Sequence, residues 1–343
     1  MPPHSMRHNH AMQATDRAPN LQSRRGFLGA AGAAGLLATG ISACTSRRAA
    51  PGGPGGGPVT VTSIFGATTI PAPPKRVVSA GYTEQDDLLA VGVVPIAVTA
   101  WFGDEPFAVW PWARSRLGDA KPLVLSLDNG IQVDQIAGLE PDLIVATNAG
   151  VDADTYQKLS AIAPTLAQSD GDAFFEPWKV QANVIGEAVF QAAQMKSLID
   201  GVDQKFATVA RQYPQFHGKK VLLLQGKLHQ DSVVATTGWR TEFLTQMGLV
   251  LADSVTSFAV DQQHAFIPRR QIRSALQAAD VLIWTTDNDD DRQALLAEPE
   301  VAAVQGRSIF TTKELAGAIA FSSPLSYPVV ADQLPPLVAT LLG

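Results

Sequence analysis

Across residues 176–213, apolar side chains recur at alternating steps of three and four: Ile185, Ala188, Ala192, Met195, Ile199, Val202, Phe206 and Val209. That spacing gathers them on one stripe of an α-helix. Pro177 stands where a first helical turn tolerates proline, and Pro214 closes the run. A coiled coil shares this period. Here, though, Ala fills two seam positions, Gly186 and Gly201 lie inside, and no flanking charge pattern accompanies the seam. The stripe predicts a helix packed across two lobes of its own chain.

The flanks alternate short apolar runs with turns and short helices. Ahead of the stripe, residues 59–65 read as a strand and 71–74 as a turn. Lys75-Arg76-Val77-Val78 opens a strand that ends at Gly81. Thr83 can cap a helix over 84–91, closed by Gly92 before a strand at 93–99. An aromatic loop runs from Trp101 to Trp112. A helix over 133–139, a buried strand at Leu143–Ala146 and a helix over 154–160 follow.

Beyond Pro214 the order restarts. Lys219-Lys220-Val221-Leu222 echoes Lys75-Arg76-Val77-Val78, and Thr241-Glu242 opens a helix as Thr83-Glu84 does. Asp280-Val281-Leu282-Ile283 echoes Asp142-Leu143-Ile144-Val145. Three echoes in one order predict an α/β protein of two similar lobes with mostly parallel sheets. The lobes are 59–175 and 214–343, and the helical segment 176–213 joins them.

Charge changes the picture at the amino end. Residues 1–43 hold Arg7, Arg17, Arg24 and Arg25 against Asp16 alone, so of 26 basic and 32 acidic side chains in all, 22 and 31 belong to the remainder. An acidic body behind a basic start argues against a nucleic-acid partner. Ser23-Arg24-Arg25-Gly26-Phe27-Leu28 is a twin-arginine pattern, with Arg24 and Arg25 as the export signal, and a Gly/Ala/Leu run follows. The run ends in Ile41-Ser42-Ala43-Cys44, which looks like a bacterial lipobox. Residues 1–43 are expected to be a twin-arginine lipoprotein signal peptide, with Cys44 receiving lipid. Cys44 is also the chain's one cysteine, so no internal disulfide or thiolate metal cluster can form. Residues 44–58 are Pro/Gly-rich and read as a flexible tether. The expected location is the outer face of the cell membrane, through a lipid anchor.

A lipoprotein signal, two α/β lobes and one connecting helix resemble the helix-backbone class of ABC-transporter substrate-binding proteins. The segments 76–94, 134–146 and 240–250 are similar to those of iron–siderophore binding lipoproteins, particularly from actinobacteria. The resemblance implies capture of a ferric siderophore in a cleft between the lobes and its delivery to an ABC permease, by a monomer without a cofactor. It also implies a break near residues 189–191, with a crossing helix of about 192–212, roughly 30 Å long at 1.5 Å per residue.

Open α/β sheets bind ligands beyond the carboxyl ends of their strands. The loops expected there carry Tyr82 and then Trp101, Trp110, Trp112 and Arg114, three of the chain's six tryptophans within one segment. The matching loop of the second lobe carries Trp239 and Arg240. Aromatic walls suit bulky, greasy chelates, and arginine supplies forked donors for chelate oxygens. Arg116 and Arg269 are secondary candidates. Asn148 and Phe266 sit in other loops assigned to strand ends. The resemblance adds Ser322 and Ser323, before the final helix, and makes Asp134 the permease-docking acid of lobe one; Arg269 stands about where lobe two's acid is expected.

Rival chemistries leave weaker traces. The body's three histidines, His217, His229 and His264, lack ligand spacing, and its tyrosines are scattered, so capture of a bare metal fits poorly. Haem, needing one axial His or Tyr, and a corrinoid stay open as ligands of the same fold. A secreted hydrolase acting on a siderophore-like ester is the reading of a different class. No GxSxG, HExxH or SxxK motif occurs, and no catalytic residue is expected.

Overall fold

The computed structural model describes residues 57–171 and 174–343. The signal peptide, Arg24, Arg25, Cys44 and most of the tether lie outside the described residues.

Lobe one opens with β1 (Val59–Ser63) and β2 (Gly66–Ile70), an antiparallel hairpin pairing Val59 with Ile70. The single strand expected over 59–65 therefore ends early, because the chain turns back at Gly66, whose φ of 112° suits glycine. Then come β3 (Val77–Ser79), α1 (Glu84–Ala90), β4 (Ala97–Thr99), α2 (Pro111–Arg114), β5 (Leu123–Leu125), α3 (Val133–Gly138), β6 (Leu143–Ala146), α4 (Ala153–Ser160) and β7 (Thr165–Ala167). The sheet order is β5-β4-β3-β6-β7, and every pairing is parallel. β3 and β6 are buried along their whole length, as central parallel strands covered on both faces are.

Two helices follow, α5 (Trp178–Ala188) and α6 (Ala192–Gln212). The apolar stripe is buried at Ile185, Ala188, Met195, Ile199, Val202, Phe206 and Val209, while Ala192 is exposed where the second helix starts. The break is a backbone event. Phe190 adopts φ 61°, and Gln191 N donates to Gly186 O at 2.7 Å, closing the first helix. Gly186 lets the helices meet: a Cβ there would stand 2.6 Å from Met195 Cβ.

Lobe two comprises β8 (Lys220–Gln225), β9 (Ser232–Thr236), α7 (Glu242–Gln246), β10 (Val250–Leu251), β11 (His264–Pro268), α8 (Arg269–Gln277), β12 (Val281–Thr285), α9 (Asp289–Leu296), α10 (Pro299–Ala302), β13 (Ser308–Phe310), α11 (Lys313–Phe321) and α12 (Tyr327–Leu342). Its sheet runs β11-β9-β8-β12-β13, with β10 parallel to β8 and an antiparallel edge formed by β9 and β11. Phe266 therefore sits within an edge strand rather than a loop.

The sequence echoes have a shared structural purpose. Asp142 accepts from Lys75 N at 2.8 Å and Arg76 N at 2.7 Å, and its own N–H donates to Arg76 O. In lobe two, Asp280 accepts from Lys220 N at 2.8 Å and donates back to Lys220 O. Each aspartate locks the entry of its strand to the entry of the neighbouring central strand. One apolar core runs from Val77 and Leu143 through the α6 stripe to Val221 and Val281, so the lobes share their packing with the crossing helix. No helix of the described residues is long and apolar enough to cross a membrane.

Candidate ligand-binding cleft

The loop after β4 faces the carboxyl ends of β8 and β12 across a cavity of about 360 Å³. Lobe one contributes Trp101 and Phe102. Lobe two contributes Gln225, Lys227, Thr236, Arg240, Thr285 and Asp287, and Ile319 and Ala320 of α11 complete the lining.

The lobe-one wall is aromatic. The Trp101 ring lies 5.5 Å from Tyr82, 5.0 Å from Phe175, 4.7 Å from Phe102 and 5.8 Å from Phe321, and Phe174 stacks on Tyr82 at 5.8 Å. Contacts of this kind hold large faces rigidly, so little side-chain entropy remains to be lost on binding. Burial, and then the Asp128 charge, raise the Tyr82 pKa, so its hydroxyl stays protonated at neutral pH.

Opposite stands Arg240, in a short turn that Gly238 starts with φ 62°. Its guanidinium donates to Ala320 O at 3.2 Å and lies 4.5 Å from the Phe175 ring and 5.9 Å from that of Trp239. Burial draws its pKa down to about 10, so it remains a cation. Phe175 is itself fixed in a left-handed backbone, φ 59°; its N–H donates to Asn148 Oδ1 at 2.9 Å, and Gln263 Nε2 donates to its carbonyl at 3.2 Å.

Behind the aromatic wall, α1 buries four consecutive polar side chains, Glu84, Gln85, Asp86 and Asp87. Glu84 accepts from Asn148 N at 2.8 Å, and Asp87 accepts from Gln181 Nε2 at 2.7 Å. Asp86 Oδ2 accepts from Trp112 Nε1 at 2.8 Å and Ser323 Oγ at 2.6 Å. Desolvation lifts Glu84 to about 7, Asp86 to about 6 and Asp87 well above the usual carboxylate range.

These placements sort the expected residues. Trp101 and Arg240 line the cavity, and Tyr82 stacks on Trp101 without lining it. Trp110 does not face it: 1% exposed, it stacks on Trp112 at 5.0 Å and fills the notch left by Gly317, where a Cβ would stand 2.5 Å from the indole. Trp110→Ala should therefore cost about 3 kcal/mol of stability through the void it leaves. An unchanged urea midpoint would contradict that packing role.

Asn148, Ser322 and Ser323 are likewise buried, their polar atoms engaged with Thr83 and Phe175, with Ile319 O, and with Asp86 and Ser326. They position the wall and expose almost no surface to a ligand. Arg114 closes on Glu105 at 2.5 Å, and Trp112 and Trp239 are half-buried supports. Phe266 packs edge-on against His229 at 5.4 Å, and neither it nor Arg116 lines the cavity. Arg269 pairs with Glu298. Asp134 is exposed in the first turn of α3.

Phe102, Phe175, Phe321 and Lys227 escaped notice as site residues. The signal for Lys227 was present: Gly226 repeats Gly81, each following a central strand and each crossing the backbone of the neighbouring strand's exit loop.

Residues 77–315 match the periplasmic binding protein family. The chain belongs to that family. A periplasmic solute binding protein from Mycobacterium smegmatis, known by crystal structure, is 65% identical with TM-score 0.79, the alignment covering 84% of this chain and 99% of that one. The probable siderophore-binding lipoprotein YfiY of Bacillus subtilis is 26% identical over 237 residues, 68% of this chain and 70% of YfiY. PiaA from Streptococcus pneumoniae, in complex with ferrichrome, shares the fold at TM-score 0.68 and 21% identity over 83% of this chain and 98% of PiaA. The two-lobed, helix-linked architecture expected from the stripe and the echoes is this family's fold.

Proposed function

We propose that this chain is an extracytoplasmic substrate-binding lipoprotein that captures an iron(III)–siderophore complex and delivers it to an ABC permease. The observation that carries the reading is the cleft itself: a stacked aromatic wall from lobe one facing one half-buried arginine from lobe two. Large apolar faces suit the organic arms of a chelate, and the guanidinium suits its oxygens. The name of YfiY supports the same ligand class, and the names of the relatives as lipoproteins or periplasmic proteins support an extracytoplasmic place. Cys44 would carry the anchor, and the exposed Asp134 would meet the permease. The protein would act by binding and release, as a monomer, without chemical turnover.

Titration of the purified protein with ferric siderophores, haem and cobalamin, followed by tryptophan fluorescence, tests this reading. A ferric siderophore should give the saturable response. Trp101→Ala should raise its Kd about tenfold or more, since buried aromatic anchors dominate such sites. Saturation by haem or cobalamin alone would transfer the site to those ligands, and product from an ester-bearing siderophore would favour a hydrolase.

A further inference from the structure

Cations near the cleft are mostly engaged. Arg114 and Lys313 both close on Glu105, at 2.5 and 2.9 Å. Lys227 lies 3.6 Å from Asp291 and 4.0 Å from Asp287. Arg240 is different: among the described residues no carboxylate lies within ion-pair distance of it, and its hydrogen-bond partner is the neutral carbonyl of Ala320. Of the charged side chains lining the cavity, Lys227 and Asp287 offset each other, and Arg240 is left over.

The rest of the lining supplies no further net positive charge, since its other cation, Lys227, is offset by Asp287 and its remaining polar side chains, Gln225, Thr236 and Thr285, are neutral. Aromatic rings present the negative face of their quadrupole, and Asp287 is itself acidic. A ligand charge brought into such a site without a partner keeps a desolvation penalty that nothing offsets. One leftover cation can compensate one negative charge. Ferric chelates divide on this point: a tris-hydroxamate is neutral, because its three singly charged groups cancel the iron, whereas a tris-catecholate retains three negative charges.

We propose that this cleft selects ferric chelates carrying no net charge or one negative charge, and excludes multiply anionic ones, with Arg240 setting the limit. The inference rests on the siderophore reading above and narrows it.

The test measures Kd of the purified protein for ferrichrome, ferrioxamine E, ferric dicitrate and ferric enterobactin at physiological salt. A neutral tris-hydroxamate should be the tightest ligand, with ferric enterobactin weaker by roughly 100-fold or more, a gap set by burying uncompensated charge. Asp287→Asn adds one net positive charge to the cleft and should narrow that gap by about tenfold. Ferric enterobactin or ferric dicitrate as the tightest ligand would overturn the charge limit and leave siderophore capture standing. A gap unmoved by Asp287→Asn would also overturn it. Binding of none of the four, beside saturation by haem or cobalamin, would overturn siderophore capture itself.

Discussion

The melting temperature should fall as pH rises from 5 to 8. Glu84 and Asp86 are the cause, together with Asp87 beside them, which desolvation raises in the same direction. In the folded protein, desolvation puts Glu84 and Asp86 at about 7 and about 6, against ordinary values of 4.5 and 3.8 in the unfolded chain. Within this window the folded state holds protons that the unfolded state has already released, so stability declines with pH. Their contribution is complete below the unfolded values and is lost as pH passes the folded ones. Glu84 alone is worth about 3 kcal/mol across the range at 1.36 kcal/mol per unit of pKa. Asp152, whose pKa is lowered by its hydrogen bond from Thr155, and Asp261, where burial is outweighed by hydrogen bonds from Gln263 and His264, act with the opposite sign, but only below their ordinary 3.8. Thermal melts at pH 5 and pH 8 supply the measurement. Glu84→Gln and Asp86→Asn should each flatten the slope; a wild-type Tm that rose or stayed level would refute the account.

Gly81→Ala and Gly226→Ala should each destabilise the protein by about 3 kcal/mol, the upper range for forcing atoms into a packed site. A Cβ at Gly81 would stand 2.5 Å from Asn148 O, and one at Gly226 would stand 2.7 Å from Thr286 Cα. Both obstacles are backbone, which cannot swing aside as a side chain can. Both lie in loops that shape the cleft, so ligand affinity should fall with stability. Gly201→Ala is the control. That glycine is exposed in α6 with nothing within 4 Å of a new Cβ, so the change should stabilise by about 1 kcal/mol through helix propensity. Urea denaturation of the three variants decides the matter: equal midpoints for all three would show that the close approaches carry no energy.

The sequence displayed the fold wherever a pattern repeated over many residues. The stripe from Ile185 to Val209 exposed the crossing segment, because a helical period over seven turns is hard to imitate by chance. Its break at Phe190 was invisible to that pattern, since a non-glycine residue in a left-handed conformation leaves no compositional mark. The three-residue strands β5 and β7 are too short to show alternation. Loop position pointed to Trp101 and Arg240, which line the cavity, and to Tyr82, which stacks on Trp101 without lining it. It failed for Trp110, because what covers that ring is Gly317 on α11, two hundred residues away along the chain. Asn148 and Ser323 misled for a related reason: a polar residue in a functional loop and a polar residue bracing that loop look alike until their partners are seen. Phe175 was missed because it sits at the boundary drawn between lobe one and the helices.

One of those braces has a mechanical side. The lobes meet through α6, and again where Ser323, just past α11, donates to Asp86 of α1 at 2.6 Å. Further ties cross where Lys313 closes on Glu105 and where Gln263 Nε2 donates to Phe175 O. A body attached to another at a single place can swivel about any axis through it, whereas one held at several separated places has few easy rotations left. Opening the cleft wide therefore means loosening at least one of these ties, and the Asp86 carboxylate holds one of them.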